Sequence, residues 1–316
     1  MNPVRRRLLL ALPGATASFP LQAGTRSETF RERMQRRRQA SDSEDEAALE
    51  GRDSPRGGPQ LPRGARVLKD IAYGSEDQQK LDVYIPAQAK QAPILFMVHG
   101  GAWMFGDKVQ GAGLDNKIAR WLPLGYVLVS INYRMSRSPD PLLQADDVGR
   151  ALAYTQAHAT EWGADPARVL VMGHSAGAHL VSLVTADQSI ATRQGAGPWM
   201  GTVALDSAAL NVVEIMEGKH YGFYDRVFRD DRKLWMAASP YHRLTGVPRP
   251  MLMVCSSKRS DSCPKADAFA AKANQMGGKV TVFRVDLGHG GVNAELGKPS
   301  TYTDAVQGFM RSLGLP

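Results

Sequence analysis

The sequence predicts an α/β protein: a mostly parallel sheet with helices on both faces and a small cap-like insertion. Three observations carry this. Short continuous apolar runs alternate with helical patterns from residue 66 onward, the rhythm of strands joined by crossover helices. The runs are apolar on consecutive residues, as strands buried on both faces must be. One serine sits in Gly173-His174-Ser175-Ala176-Gly177, between an apolar run and a helical pattern.

Taken in order, residues 67–73 and 80–85 alternate apolar and polar side chains, the pattern of an antiparallel entry hairpin. Buried strands are expected at 94–98, 126–131, 169–172, 203–205, 251–254 and 280–285. Helices are expected around 115–122, 142–162, 176–185, 264–276 and 301–313. Residues 211–249 break the rhythm; they hold Tyr221, Phe223, Tyr224, Phe228 and Trp235 and read as a cap over the sheet.

Upstream, the texture differs. Residues 1–23 read as an export signal: Arg5-Arg6-Arg7, then Leu8 to Leu12, then small residues. The apolar part is too short to span a bilayer, and the arginine pair suits twin-arginine export. The expected location is therefore periplasmic or secreted. Residues 24–65 are charged and rich in Gly, Ser and Pro, with few large apolar groups to offset ordering entropy, and read as a linker. Residues 66–316 then form the globular domain. The net charge of +8 divides evenly, +4 in residues 1–65 and +4 in the rest, with no single-sign stripe. That argues against nucleic acid as a partner. No later segment reaches 18 uninterrupted apolar residues, so no stable membrane span is expected. Nothing fixes the oligomeric state.

The chemistry centres on Ser175. A serine hydroxyl needs a base to become a nucleophile. Glycines around it permit a strand-to-helix turn that lifts it above the sheet. Upstream, His99-Gly100-Gly101-Ala102-Trp103 follows the apolar run 94–98. Its glycines free backbone N–H groups which, with that of Ala176, can hold an oxyanion. Seven histidines compete for the role of base. Chain order (nucleophile, acid, histidine) leaves His220, His242 and His289. His220 and His242 lie in the insertion, whereas His289 follows the run 280–285 in a glycine-rich loop, where sites of parallel sheets form. The acid is expected in the loop after 251–254, at Asp261, with Asp206 after the preceding strand as the rival. Trp103, Phe105 and the aromatic insertion suggest an apolar or aromatic substrate pocket or, equally, packing of the cap, with His99 and His174 near the site and Trp103 and His174 as the pocket candidates.

These residues together resemble the HGG-motif esterases of the α/β-hydrolase superfamily, the group that includes carboxylesterases, kynurenine formamidases and feruloyl or acetyl-xylan esterases. The resemblance runs from about Val67 to the C-terminus. It includes Gln79 to Tyr84, His99 to Trp103 with Gly106-Asp107-Lys108, Asn132-Tyr133-Arg134, Asp165 to Val169, Ala238-Ser239-Pro240, and His289 with Asn293. It implies a Ser175–Asp261–His289 triad, an oxyanion hole from Gly100, Gly101 and Ala176, and neither a metal nor an organic cofactor. The substrate it implies is a small ester, or a formamide in the alternative; a non-catalytic ligand-binding homologue is a third reading. Cys255 and Cys263 flank the acid loop, and a disulfide between them would pin Asp261.

Overall fold

The computed structural model describes residues 59–316, except Gln110 and Ala208. The export segment and most of the linker lie outside these residues. Eight strands form one sheet in the order β1-β2-β4-β3-β5-β6-β7-β8. They are β1 (Arg66–Ala72), β2 (Lys80–Ile85), β3 (Ala92–Val98), β4 (Val127–Ile131), β5 (Ala164–His174), β6 (Gly201–Leu205), β7 (Met251–Ser256) and β8 (Val280–Val285). β1 pairs antiparallel with β2, and β2 with β4; every other pair is parallel. The α/β architecture expected from the sequence is the one the chain adopts.

The apolar runs are continuous because each strand feeds two cores. Side chains alternate across the sheet. Ile94, Phe96 and Val98 of β3 join one cluster with Val169 and Val171 of β5. Leu95 and Met97 join another, on the opposite face, with Leu170 and Met172. Helices cover both faces: α1 (Gly111–Trp121), α2 (Pro141–His158), α3 (Ala176–Ala186), α4 (Ser189–Thr192), α9 (Ser262–Gln275), α10 (His289–Ala294) and α11 (Thr301–Ser312). Asp140 caps α2 by accepting from the amides of Leu142 and Leu143, with Pro141 at the first helical position. The helix expected over 142–162 stops at His158, and residues 159–162 tighten into a 3-10 turn closed by Gly163 at φ 75°. A Cβ on Gly163 would lie 2.4 Å from the Ala89 carbonyl oxygen, so only glycine fits this stop.

The aromatic insertion is a cap of four short helices: α5 (Val212–Glu217), α6 (Gly222–Phe228), α7 (Arg232–Ala237) and α8 (Pro240–Arg243). α6 packs downward through Tyr224, Val227 and Phe228. Among the described residues no helix is long and apolar enough to cross a membrane.

Candidate active site

Ser175 is the single residue between β5 and α3, at φ 55° and ψ −118°. This is a costly conformation for a residue with a Cβ. Its neighbours enforce it. A Cβ on Gly173 would lie 2.4 Å from the Gly177 carbonyl oxygen, and one on Gly177 would lie 2.3 Å from that of Val98. Neither position accepts a side chain, so the turn is tight enough to push Ser175 outward. The Ser175 N–H donates to the Leu205 carbonyl at 2.9 Å, carrying the β5–β6 pairing one residue beyond the strand.

The register then decides the partner. His174 pairs with Leu205, so the next residues, Ser175 and Asp206, emerge side by side at the C-terminal edge. Asp206 also takes a left-handed turn, φ 54°. His289 opens α10, just beyond β8. Its Nε2 lies 2.8 Å from Ser175 Oγ and its Nδ1 lies 2.6 Å from Asp206 Oδ2. With the ring proton on Nδ1 donating to the carboxylate, Nε2 is left as the acceptor for the serine hydroxyl.

Asp261 does not occupy the expected position. It stands five residues beyond the end of β7, at the start of α9, and its carboxylate lies 3.4 Å from an Arg259 nitrogen. The carboxylate that meets His289 is that of Asp206, the rival. Burial pushes Asp206 upward, but the bond from His289, the Arg259 charge and the Ser262 hydroxyl outweigh it and hold the carboxyl well below its ordinary value.

Of the two pocket candidates, Trp103 takes the cap-packing alternative and His174 lies against His289. Trp103 is 3% exposed and lies under the cap rather than lining an open pocket. Its indole N–H donates to His179 Nδ1 at 3.0 Å, and its ring packs edge-on against Phe228. His179 Nε2–H in turn donates to the Ala238 carbonyl at 2.7 Å. Burial pushes His179 down to about 4, so this tautomer is neutral. His174 packs against His289: its Nε2–H donates to the His289 carbonyl at 3.1 Å, and the rings lie 4.8 Å apart. Desolvation, then the neighbouring His289, pushes His174 down to about 3. The particular partners are not legible in the sequence, because both depend on contacts between distant segments.

The glycine loop lies against the serine. A Cβ on Gly100 would come within 3.0 Å of Ser175 Cβ. Gly101 has φ +122°, and a Cβ there would sit 2.0 Å from the Phe105 carbonyl oxygen. Ala102 and Trp103 follow in left-handed conformations, φ 49° and 62°. Ala176 opens α3, so its amide is among those without a partner within the helix. Cys255 and Cys263 form a disulfide, Cα atoms 5.1 Å apart, closing the loop around residues 256–262. On the far side, fully buried Lys117 of α1 donates to the Gly113 carbonyl and to Asn293 of α10. Burial pushes this lysine down to about 7. Among the described residues no group of three or more His, Cys, Asp or Glu is placed to hold a metal.

A serine, an imidazole and a carboxylate in series at the C-terminal edge of this sheet define an α/β-hydrolase. Comparison with known proteins narrows that class. The BD-FAE family model matches residues 81–209. Esterase LipQ of Mycobacterium tuberculosis (strain ATCC 25618 / H37Rv) is 32% identical over 250 residues, 71% of this chain and 56% of LipQ. Isoprenylcysteine alpha-carbonyl methylesterase ICME of Arabidopsis thaliana is 27% identical over 131 residues, 41% of this chain and 30% of that protein. The chain thus spans about half or less of the length of these relatives. Among solved structures, esterase B from Lactobacillus rhamnosis superposes with a TM-score of 0.67 at 20% identity, covering 90% of this chain and 95% of that one. A truncated carbohydrate esterase from gut microbiota superposes at 0.68 and 16% identity, covering 82% and 100%. The chain is thus similar in sequence to these esterases and shares the α/β-hydrolase fold of the solved ones.

Proposed function

We propose that the protein is a serine hydrolase that cleaves carboxylic esters through an acyl-enzyme. The observation that carries this is the continuous relay from Ser175 Oγ to His289 at 2.8 Å and on to Asp206 at 2.6 Å. His289 takes the serine proton as Ser175 attacks the ester carbonyl, and Asp206 steadies the imidazolium that forms. The amides of Gly100, Gly101 and Ala176 receive the oxyanion; each such donor contributes about 2.7–4 kcal/mol to the transition state. His289 then protonates the leaving alcohol and activates the water that releases the acid.

An apolar or aromatic substrate is supported by Phe105, 57% exposed just beyond the glycine loop, and by Tyr221, 40% exposed and stacked on Phe223 above Trp103. Export to an oxidising compartment is supported by the arginine-leucine N-terminus and the Cys255–Cys263 bond.

Ser175→Ala is expected to fold like the parent and to lose p-nitrophenyl acetate hydrolysis by roughly 10⁵–10⁶ in kcat, with loss of fluorophosphonate labelling. Activity and labelling near parental levels would overturn the reading. Comparing kcat/KM on acetate esters with that on N-formylkynurenine separates an esterase from a formamidase.

A further inference from the structure

The carboxylate that meets His289 is held by a loop from a different strand. Ser256 N–H donates to Asp206 Oδ1 at 2.8 Å, and the Ser262 hydroxyl donates to the same oxygen. Arg259 Nη1 donates to Oδ2 at 2.9 Å. All three donors come from the segment that the Cys255–Cys263 disulfide closes. Oδ2 is therefore shared between the imidazole, at 2.6 Å, and a guanidinium. Arg259 Nη1 also stands 3.1 Å from His289 Nδ1. Since Nδ1 carries its proton toward Asp206, two donors converge on one oxygen, and a permanent cation sits beside the ring that must become a cation during catalysis.

Other charged and titratable groups surround this pair. Asp261, on the same loop, lies 3.4 Å from Nη2 and is partly exposed. His174, from the end of β5, is held neutral. Lys117, from α1, acts on His174, whose protonation its charge disfavours. Tyr224 from the cap and Tyr302 from α11 lie within electrostatic reach of Arg259 and Asp206, respectively, and the Tyr302 hydroxyl donates to the Val292 carbonyl at 2.8 Å. Lys258 and Asp286 pair with each other further out, at 3.7 Å.

We propose that Arg259 is a positioning residue that sets the basicity of the Asp206–His289 pair. By taking a share of the Asp206 carboxylate and facing the imidazole with its own charge, it disfavours the imidazolium. This rests on the triad reading above. No substrate contact is assigned to Arg259.

The experiment is the pH profile of kcat/KM for p-nitrophenyl acetate, with the rate of fluorophosphonate labelling against pH as a second readout. It uses the full chain with its disulfide intact. Arg259→Met is expected to raise the midpoint of the acidic limb by about one pH unit. Arg259→Lys, which keeps the charge, should leave the midpoint close to the parent's. Arg259→Gln tests the same shift if the Met variant fails to fold. A fall in the plateau with the midpoint unmoved in both neutral variants would overturn the proposal and leave Arg259 a merely structural residue. His289→Ala is run alongside. If it keeps the parent's activity, the triad reading fails; if it is inactive while the Arg259 variants show no shift, only the present proposal fails.

Discussion

The loops after β6 and after β7 each offer a carboxylate to His289, and only one reaches it. Asp206 comes immediately after its strand and is 1% exposed; Asp261 comes only after four intervening residues and turns toward Arg259 and solvent. Both satisfy the chain order of nucleophile, acid and histidine. The difference is geometric. β6 lies directly beside β5, so its first residue beyond the sheet shares a level with Ser175, while β7 is one strand further away. The β7 loop supplies instead the donors that hold Asp206. One region provides the charge and the other fixes it in place.

Removing one carboxylate at a time separates the two loops most sharply. Asp206→Asn is expected to lower kcat by about 10⁴, because an amide cannot hold the Nδ1–H tautomer. Asp261→Asn should stay within about threefold of the parent, as for a charge that only flanks the site. The reverse ranking, measured on ester hydrolysis with melting curves as folding controls, would return the acid to Asp261.

A smaller effect tests the loop as scaffold. Replacing both Cys255 and Cys263 by serine should cost about 2–3 kcal/mol of stability, from loop-closure entropy in the unfolded chain. Denaturant unfolding without reductant measures this, and dithiothreitol should bring the parent to the same midpoint. Activity should fall more steeply with temperature than the global melt does, because the donors to Asp206 loosen before the sheet unfolds. An unchanged midpoint would show that the disulfide adds nothing to the loop.

The smallest effect sharpens the contrast between the edge of the sheet and the cap. His179 is held neutral between Trp103 and Ala238, pushed down to about 4 from 6.5. The unfolded chain takes up that proton as pH falls through 6.5, whereas the folded one does not. Stability is therefore lost between pH 6.5 and about 4, at about 1.4 kcal/mol per pH unit at most. His174 adds a loss of the same sign over a window reaching to about 3. Asp206, with its pKa depressed, works lower: its stabilisation is present above its ordinary value of 3.8 and is lost as pH falls through its folded value. Urea unfolding of His179→Leu between pH 7 and 5 should show a flatter dependence than the parent; an identical slope would mean that His179 carries no linkage.

Local sequence determined most of this protein's framework. Continuous apolar runs require strands buried on both faces, and the glycines at 173 and 177 leave a strand-to-helix turn no room for side chains. Those are constraints a chain imposes on its near neighbours, so Ser175 at its elbow and His289 beyond the last strand are legible in the amino-acid order alone. The acid is not. Asp206 and Asp261 differ in nothing that composition or spacing records, and the choice between them comes from inter-strand register and the left-handed turn at Asp206. The same holds for Trp103, whose burial depends on the cap, and for Arg259, whose two neighbours lie 53 and 30 residues away in the chain. Residues that act by touching distant segments become readable only when the sheet has brought those segments together.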